Sequence, residues 1–248
     1  MPHGHGVIWL KDEVVKPYLK ENGEFNLDTV HELIDKWTSC SLDTGDEDLD
    51  NLVKEVNVHH HTSSCQKRGN CRFNFPRLPS NRTIVAMSLD ASENETDDEK
   101  KVRQRRIDDA TKILSTVKDA LKTLEENEED QTLEEFLHKL DISIDDYEKS
   151  LKISSRGNTI ILKRKIKERM VNNYNGKMLK VWRANIDVQV CLDNFAIVTY
   201  VCDYLTKSDD GLTKFMKEAI KEKKRFKYGS FSKIKFCKTS VLYPSSSV

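Results

Sequence analysis

Apolar and polar positions along the chain fall into short alternating runs and longer helical stripes, which predicts a mixture of strands and helices. The run GVIWL at 6–10 is apolar, short and followed by charge, so it reads as a buried strand. NLDTVHELIDKW at 26–37 reads as a helix with Asp28 at its N-cap. The polar SLDTGDEDLDN that follows reads as a loop. LVKEVNVHHHTSSCQKRGNCRFNFPRLPSNRT alternates residue types and then gives way to turn chemistry around Gly69, Asn70, Pro76 and Pro79.

SLDASENETDDEKK at 88–101 is a polar linker that turns helical near Asp97. Beyond it Ile107, Ala110, Leu114, Val117, Leu121 and Leu124 recur at spacings of 3, 4, 3, 4 and 3, one stripe of a helix. The stripe is too short for a stable coiled coil, so it is expected to pack on its own domain. TLEEFLHKLDIS at 132–143 predicts a second helix, with Thr132 and Glu135 as a capping box. Strands are predicted over 158–165 and near 185–191, and DNFAIVTYVCDYLTKS at 193–208 has helical spacing. No internal repeat is present.

Composition sharpens this picture. At 248 residues, with 33% charged and 37% hydrophobic, the chain is expected to be soluble, with a thin core and polar helices. No apolar run has the length of a membrane span, and no signal peptide precedes the first strand. Six cysteines without a secretory signal favour a reducing, intracellular compartment and metal ligation over disulfides. Net charge is zero but uneven: 10 basic and 13 acidic residues over 1–87, 10 and 20 over 88–150, and 21 and 8 over 151–248. The basic last segment suits a phosphate-bearing partner, or simply offsets the acidic middle.

Four constellations carry chemistry. His3 and His5 sit two apart, so on a strand they share a face and can present two imidazoles to one divalent ion, or they are surface histidines. Tyr200 and Tyr204 share a helix face, with Lys207 one turn on, and a phenol of pKa ~10 needs help from a metal to attack a phosphodiester. Packing of those rings in a core is the other reading. Cys40, Cys65 and Cys71 with His59 or His61 would make a tetrahedral zinc site, the alternative being buried free thiols beside an exposed histidine run. Lys177, Lys180 and Arg183 are interleaved with Tyr174 and Trp182, which suits phosphates and unpaired bases, or a core tryptophan at a junction.

The segments PHGHGVIWL, VHHHTSSCQKRGNCRFNFPRLP, SLKISSRGNTIILKRK and NNYNGKMLKVWRANIDVQVCLDNFAIVTYVCDYLTKS, in that order, resemble the helicase-like N-terminal region of Helitron transposon proteins. The similarity runs from residue 2 to about 220. It implies a rolling-circle replication initiator of the HUH endonuclease class, with an α+β fold. An antiparallel sheet would carry helices on one side, with a helical insertion and a small zinc-binding subdomain added. His3 and His5 would then hold magnesium or manganese. Tyr200 and Tyr204 would be the nucleophiles, assisted by Lys207, and single-stranded DNA the partner in a nuclear setting. Four segments are expected: 1–87 with the His motif and Cys/His region, 88–150 as linker and helical insertion, 151–225 with the two-tyrosine helix, and 226–248 as a divergent tail. Met1 directly precedes the His motif, so a truncated copy lacking the preceding strand or strands is also expected. No G-x-x-x-x-G-K-[ST] loop is present, so no ATP-driven helicase motor is expected in this chain.

Overall fold

Strand β1 (His3–Trp9) is followed by helix α1 (Asp12–Val15), and α2 (Val30–Trp37) and α3 (Glu47–Leu52) come next. The computed structural model describes residues 3–67, 69–89, 95–125, 129–154, 159–192 and 236–242. Further along lie β2 (Gln66–Lys67), β3 (Asn70–Cys71), β4 (Ile84–Ser88), α4 (Asp97–Lys122), α5 (Leu133–Lys139) and α6 (Ile144–Leu151). β5 (Ile153–Ser154), β6 (Thr159–Ile161), α7 (Gly176–Trp182), β7 (Ile186–Cys191) and β8 (Phe236–Leu242) complete the described elements. The fold is mixed α and β. β1, β8 and β7 form an antiparallel sheet in that order. A second small sheet runs β5-β4-β6, with β4 parallel to β5 and antiparallel to β6.

Two apolar clusters hold these layers. The first packs α2, α3 and α7 against one face of β7, through Val30, Ile34, Leu49, Leu52, Leu179, Ile186 and Val188. Alternation along β7 puts Asp187 and Gln189 on the opposite face, where the Gln189 amide donates to Asp187 Oδ2 at 2.9 Å. The second cluster is helical: Val117 and Leu121 of α4 meet Leu133, Phe136 and Leu137 of α5 and Tyr147 and Leu151 of α6. Ile84 and Ile166 close it, so the 88–150 segment shares a core with the residues that flank it.

The α4 stripe packs inward as its spacing predicts, with Ala110, Val117 and Leu121 buried. Thr96 and Glu99 cap its start reciprocally. The Thr132–Glu135 box opens α5, where the Glu135 amide donates to Thr132 Oγ1 at 3.2 Å. That helix ends at Lys139, four residues before the predicted limit, because Asp141 turns to φ 56° and Ser143 caps a new helix. The loop predicted over 41–51 contains α3, with Asp46 as its N-cap, and continues as a π-helical turn at Val53–Asn57. α2 begins at Val30 with Thr29 at the cap position, so Asp28 does not cap it.

The segment expected to be a divergent tail contributes a strand to the fold. Phe236–Leu242 forms the middle strand of the first sheet, between β1 and β7. Cys237, Thr239 and Val241 recur every second residue, which suits a strand, a signal outweighed by the charged residues before it. Among the described residues, no helix is long and apolar enough to cross a membrane.

Between the two clusters runs a strap, 162–174, that is mostly irregular. It exchanges backbone bonds with Ser80 through Arg164 and with Ser39 through Tyr174. It also accepts the His59 amide on Met170 O at 2.7 Å and the Arg77 amide on Arg169 O at 2.8 Å. Those last two bonds fix both ends of the loop that carries the cysteines and histidines.

Candidate metal centre

The chain leaves the first core at Val58, which bridges Val171, and runs extended through His59–His61. Extended backbone returns side chains to the same side every second residue, so His59 and His61 face together and His60 does not. A turn follows in which the Cys65 amide donates to Thr62 O at 3.1 Å. Then the β2–β3 hairpin folds back through Gly69 at φ 76°, a conformation glycine adopts without penalty. It sets Cys71 opposite Gln66 and lets the Arg72 amide donate to Cys65 O at 2.8 Å.

Four donor atoms thereby converge: one each from His59, His61, Cys65 and Cys71, all within 4.8 Å of one another. Cys65 Sγ lies 3.6 Å from His61 Nδ1, and Cys71 Sγ lies 3.4 Å from His59 Nε2. Zinc–ligand bonds of 2.0–2.3 Å in a tetrahedron imply ligand-to-ligand edges of about 3.5 Å. The donor set and its spacing therefore fit a metal ion held by two thiolates and two imidazoles.

The protonation states point the same way. Burial holds the His59 imidazole below the usual histidine range, helped by His61, His60 and Arg77. The Thr62 backbone amide, 3.2 Å from Cys65 Sγ, is the main influence holding that thiol below its ordinary value. Neutral imidazole and thiolate are the forms that ligate. Phe75 stacks on the His59 ring at 4.4 Å and 11°, fixing its plane, and the Arg77 guanidinium lies 4.7 Å over the Phe75 centroid. The FNFPR run at 73–77 that supplies these supports carries alternating aromatics, a signal the sequence reading passed over.

Two expectations about this centre change. His59 and His61 both contribute, so no choice between them is needed. Cys40 is not among the converging donors. It is buried in the first core, and its thiol donates to Lys163 O at 3.2 Å. The residues after α2 turn toward the strap rather than toward the hairpin, because Ser39 bonds Tyr174 in both directions.

Burial, chiefly, pushes the Cys40 thiol up to about 11 from an ordinary 9.0. A folded-state pKa above the unfolded one favours folding while the thiol stays protonated, and that contribution is lost as pH rises from about 9 through 11. Wild type is thus expected to lose about 2 kcal/mol more than Cys40→Ala between pH 8 and 11, following ~1.4 kcal/mol per unit. Denaturant melts at the two pH values check this, and Cys40→Ala should bind metal with unchanged stoichiometry.

The remaining predicted residues fall elsewhere. His3 and His5 lie on β1, in register with Leu242 and Ser240, and Ser240 is in turn in register with Asp187. Tyr200, Tyr204 and Lys207 lie outside the described residues. On α7 and its C-cap, Lys180 pairs with Asp46, and Arg183 reaches Asp48 at 3.5 Å. Trp182 packs against the first core, leaving Lys177 exposed at the start of the helix. The aromatic and two of the three cations are therefore occupied within the fold. The Lys180 ammonium, as hydrogen-bond donor, is the main reason Asp46 titrates below its usual value.

Comparison with protein-family models, curated proteins and solved structures finds no match to this chain.

Proposed function

We propose that this chain is a Helitron-type rolling-circle replication initiator, acting in the nucleus on single-stranded DNA, with zinc as the ion of the His59–Cys71 centre. The observation that carries the reading is the backbone setting of the histidine pair. His3 and His5 stand two apart on a strand of an antiparallel sheet whose β7 is packed by helices on one face. The sequence resemblance calls for such a pair on a central strand of an antiparallel sheet, whereas β1 lies at the edge of the three described strands. In this reading His3 and His5 hold magnesium or manganese, which would polarise the phosphodiester. Tyr200 or Tyr204 attacks phosphorus through its phenolic oxygen. The bond to the 3′ oxygen breaks, a 3′ hydroxyl leaves with a proton, and a 5′-phosphotyrosine link remains. Lys207 offsets charge on the phosphate or the phenolate. A second tyrosine allows transfer of the held strand without its release.

A labelled single strand incubated with the protein and manganese is expected to give a denaturant-stable protein–DNA adduct. Tyr200→Phe with Tyr204→Phe should abolish it, as should His3→Ala with His5→Ala. A second reading is favoured by a specific observation: the four-donor centre is complete without either of those pairs. On that reading the chain is a non-catalytic DNA-binding protein organised by structural zinc. Strand binding with no adduct under any divalent metal selects it and rejects the nuclease.

A further inference from the structure

Beside the metal centre an aromatic ring is left facing water in a cationic setting. Phe73 is 46% exposed although it lies two residues after Cys71 of the donor cluster. One side of it is fixed: the His59 ring meets it edge-on at 5.7 Å, and the Arg72 guanidinium lies 4.5 Å over its face. Two lysines from α4 border the same hairpin. Lys118 donates to Asn74 Oδ1, and Lys122 donates to Asn70 Oδ1 at 3.2 Å.

These charges are crowded. Lys118 is held below its ordinary range first by burial, and then by Lys122 and Arg77. One carboxylate, Asp119, pairs with Lys122 at 2.8 Å and is itself 69% exposed in its side chain. The patch therefore sets three cations, from Arg72, Lys118 and Lys122, around an exposed aromatic face with one partly competing acid. An acidic peptide would satisfy the cations but leave the ring in water. A strand with unpaired bases satisfies both, because phosphates meet the cations and a base covers the ring. Duplex DNA keeps its bases stacked on each other and unavailable to it.

From this charge complementarity we infer that the Phe73 hairpin is a stacking platform for an unpaired base of single-stranded DNA, with Arg72, Lys118 and Lys122 taking the flanking phosphates. The choice of DNA rests on the proposed function, but the surface is separate from the His3/His5 and Tyr200/Tyr204 chemistry. It also relocates strand contact away from α7 and its C-cap, where two of the three cations, Lys180 and Arg183, are paired within the fold.

The test is binding of a fluorescent oligo-dT to the full zinc-loaded chain, without added manganese so that nicking does not enter. Phe73→Ala is expected to weaken binding roughly 10- to 100-fold, the range for one base–aromatic stack, and Phe73→Trp to restore it. Lys118→Gln with Lys122→Gln should flatten the dependence of log affinity on log salt by about 1.4, from two lost phosphate contacts. That pair keeps the test decisive even if Phe73→Ala loses metal, since neither lysine adjoins a ligand in sequence. Oligo-U in place of oligo-dT is expected to bind comparably, since no group in the patch reads the sugar. Wild-type binding that is indifferent to Phe73→Ala, with metal retained, overturns the platform, as does an unchanged salt slope in the lysine pair. Heparin binding that equals oligo-dT binding and also ignores Phe73 overturns it too. Absence of a covalent adduct in manganese bears only on the nuclease reading and leaves these results standing.

Discussion

Chelating the metal is expected to open the loop from His59 to Arg77 to protease while the α4–α6 core stays folded. The loop has little else to hold it. Between Val58 and Pro76, Cys65 and Phe75 are the buried apolar side chains among the described residues, and Phe75 owes its place to stacking on a ligand. Its own hairpin pairs two residues with two, which is marginal alone in water. Structural zinc in comparable small modules contributes on the order of 10 kcal/mol, so an ion at this centre, rather than apolar burial, is expected to decide whether the loop is ordered. Opening should be local, because the His59 amide is anchored to Met170 O and the Arg77 amide to Arg169 O. Limited proteolysis and hydrogen exchange read this directly. Exchange within 59–75 should accelerate roughly tenfold or more on chelation, while amides of α4 and α6 keep their protection. Cys65→Ser and Cys71→Ser should each reproduce the chelated pattern and drop bound metal well below one per chain. Protection of the loop that survives complete metal removal would mean that the centre is not structural.

What could be read from sequence here was what is local. The α4 stripe and the capping box at Thr132 involve residues within four of each other, and their geometry follows from helix pitch alone. The pairing of His59 with His61 follows from the two-residue period of extended chain, and Cys65 and Cys71 come from the same short segment. Cys40 was harder. A thiol 19 residues before His59 can reach a metal or a core, and the deciding contact is Ser39 with Tyr174, 135 residues away. α3 was hidden by its own charge: Asp and Glu fill the exposed face, and the three apolar residues Leu49, Leu52 and Val53 are too few to announce a helix. β8 shows the same limit at longer range, since its partners β1 and β7 lie far off in the chain. The expectation that Tyr200 and Tyr204 work with the ion at His3 and His5 falls on tyrosines outside the described residues, and it stands as a proposal with its adduct test.

Arg164→Ala is expected to destabilise the fold by about 3–5 kcal/mol. Arg164 is 4% exposed and sits on the strap between Leu162 of the first cluster and Ile166 of the second. Its guanidinium donates to Glu168 O, to Val171 O at 2.9 Å and to Asn173 Oδ1 at 2.9 Å. Those bonds curl the strap so that Glu168, also buried, can accept the Leu42 amide and Ser41 hydroxyl at 3.1 Å each. Alanine removes one forked donor from three acceptors, of which Glu168 O keeps the Val171 amide at 3.0 Å. Each buried acceptor so stranded costs about 1–3 kcal/mol, less whatever water enters the gap. Arg164→Lys should recover less than half the loss, because one ammonium on a flexible stem does not span acceptors spread from 168 to 173. The strap also anchors His59 and Arg77, so the Ala variant should bind metal more weakly as well as melt earlier. Urea denaturation with metal saturating and absent separates the two contributions. A loss under about 1 kcal/mol with metal saturating would place the joint between the clusters in their apolar contacts instead of this buried cation.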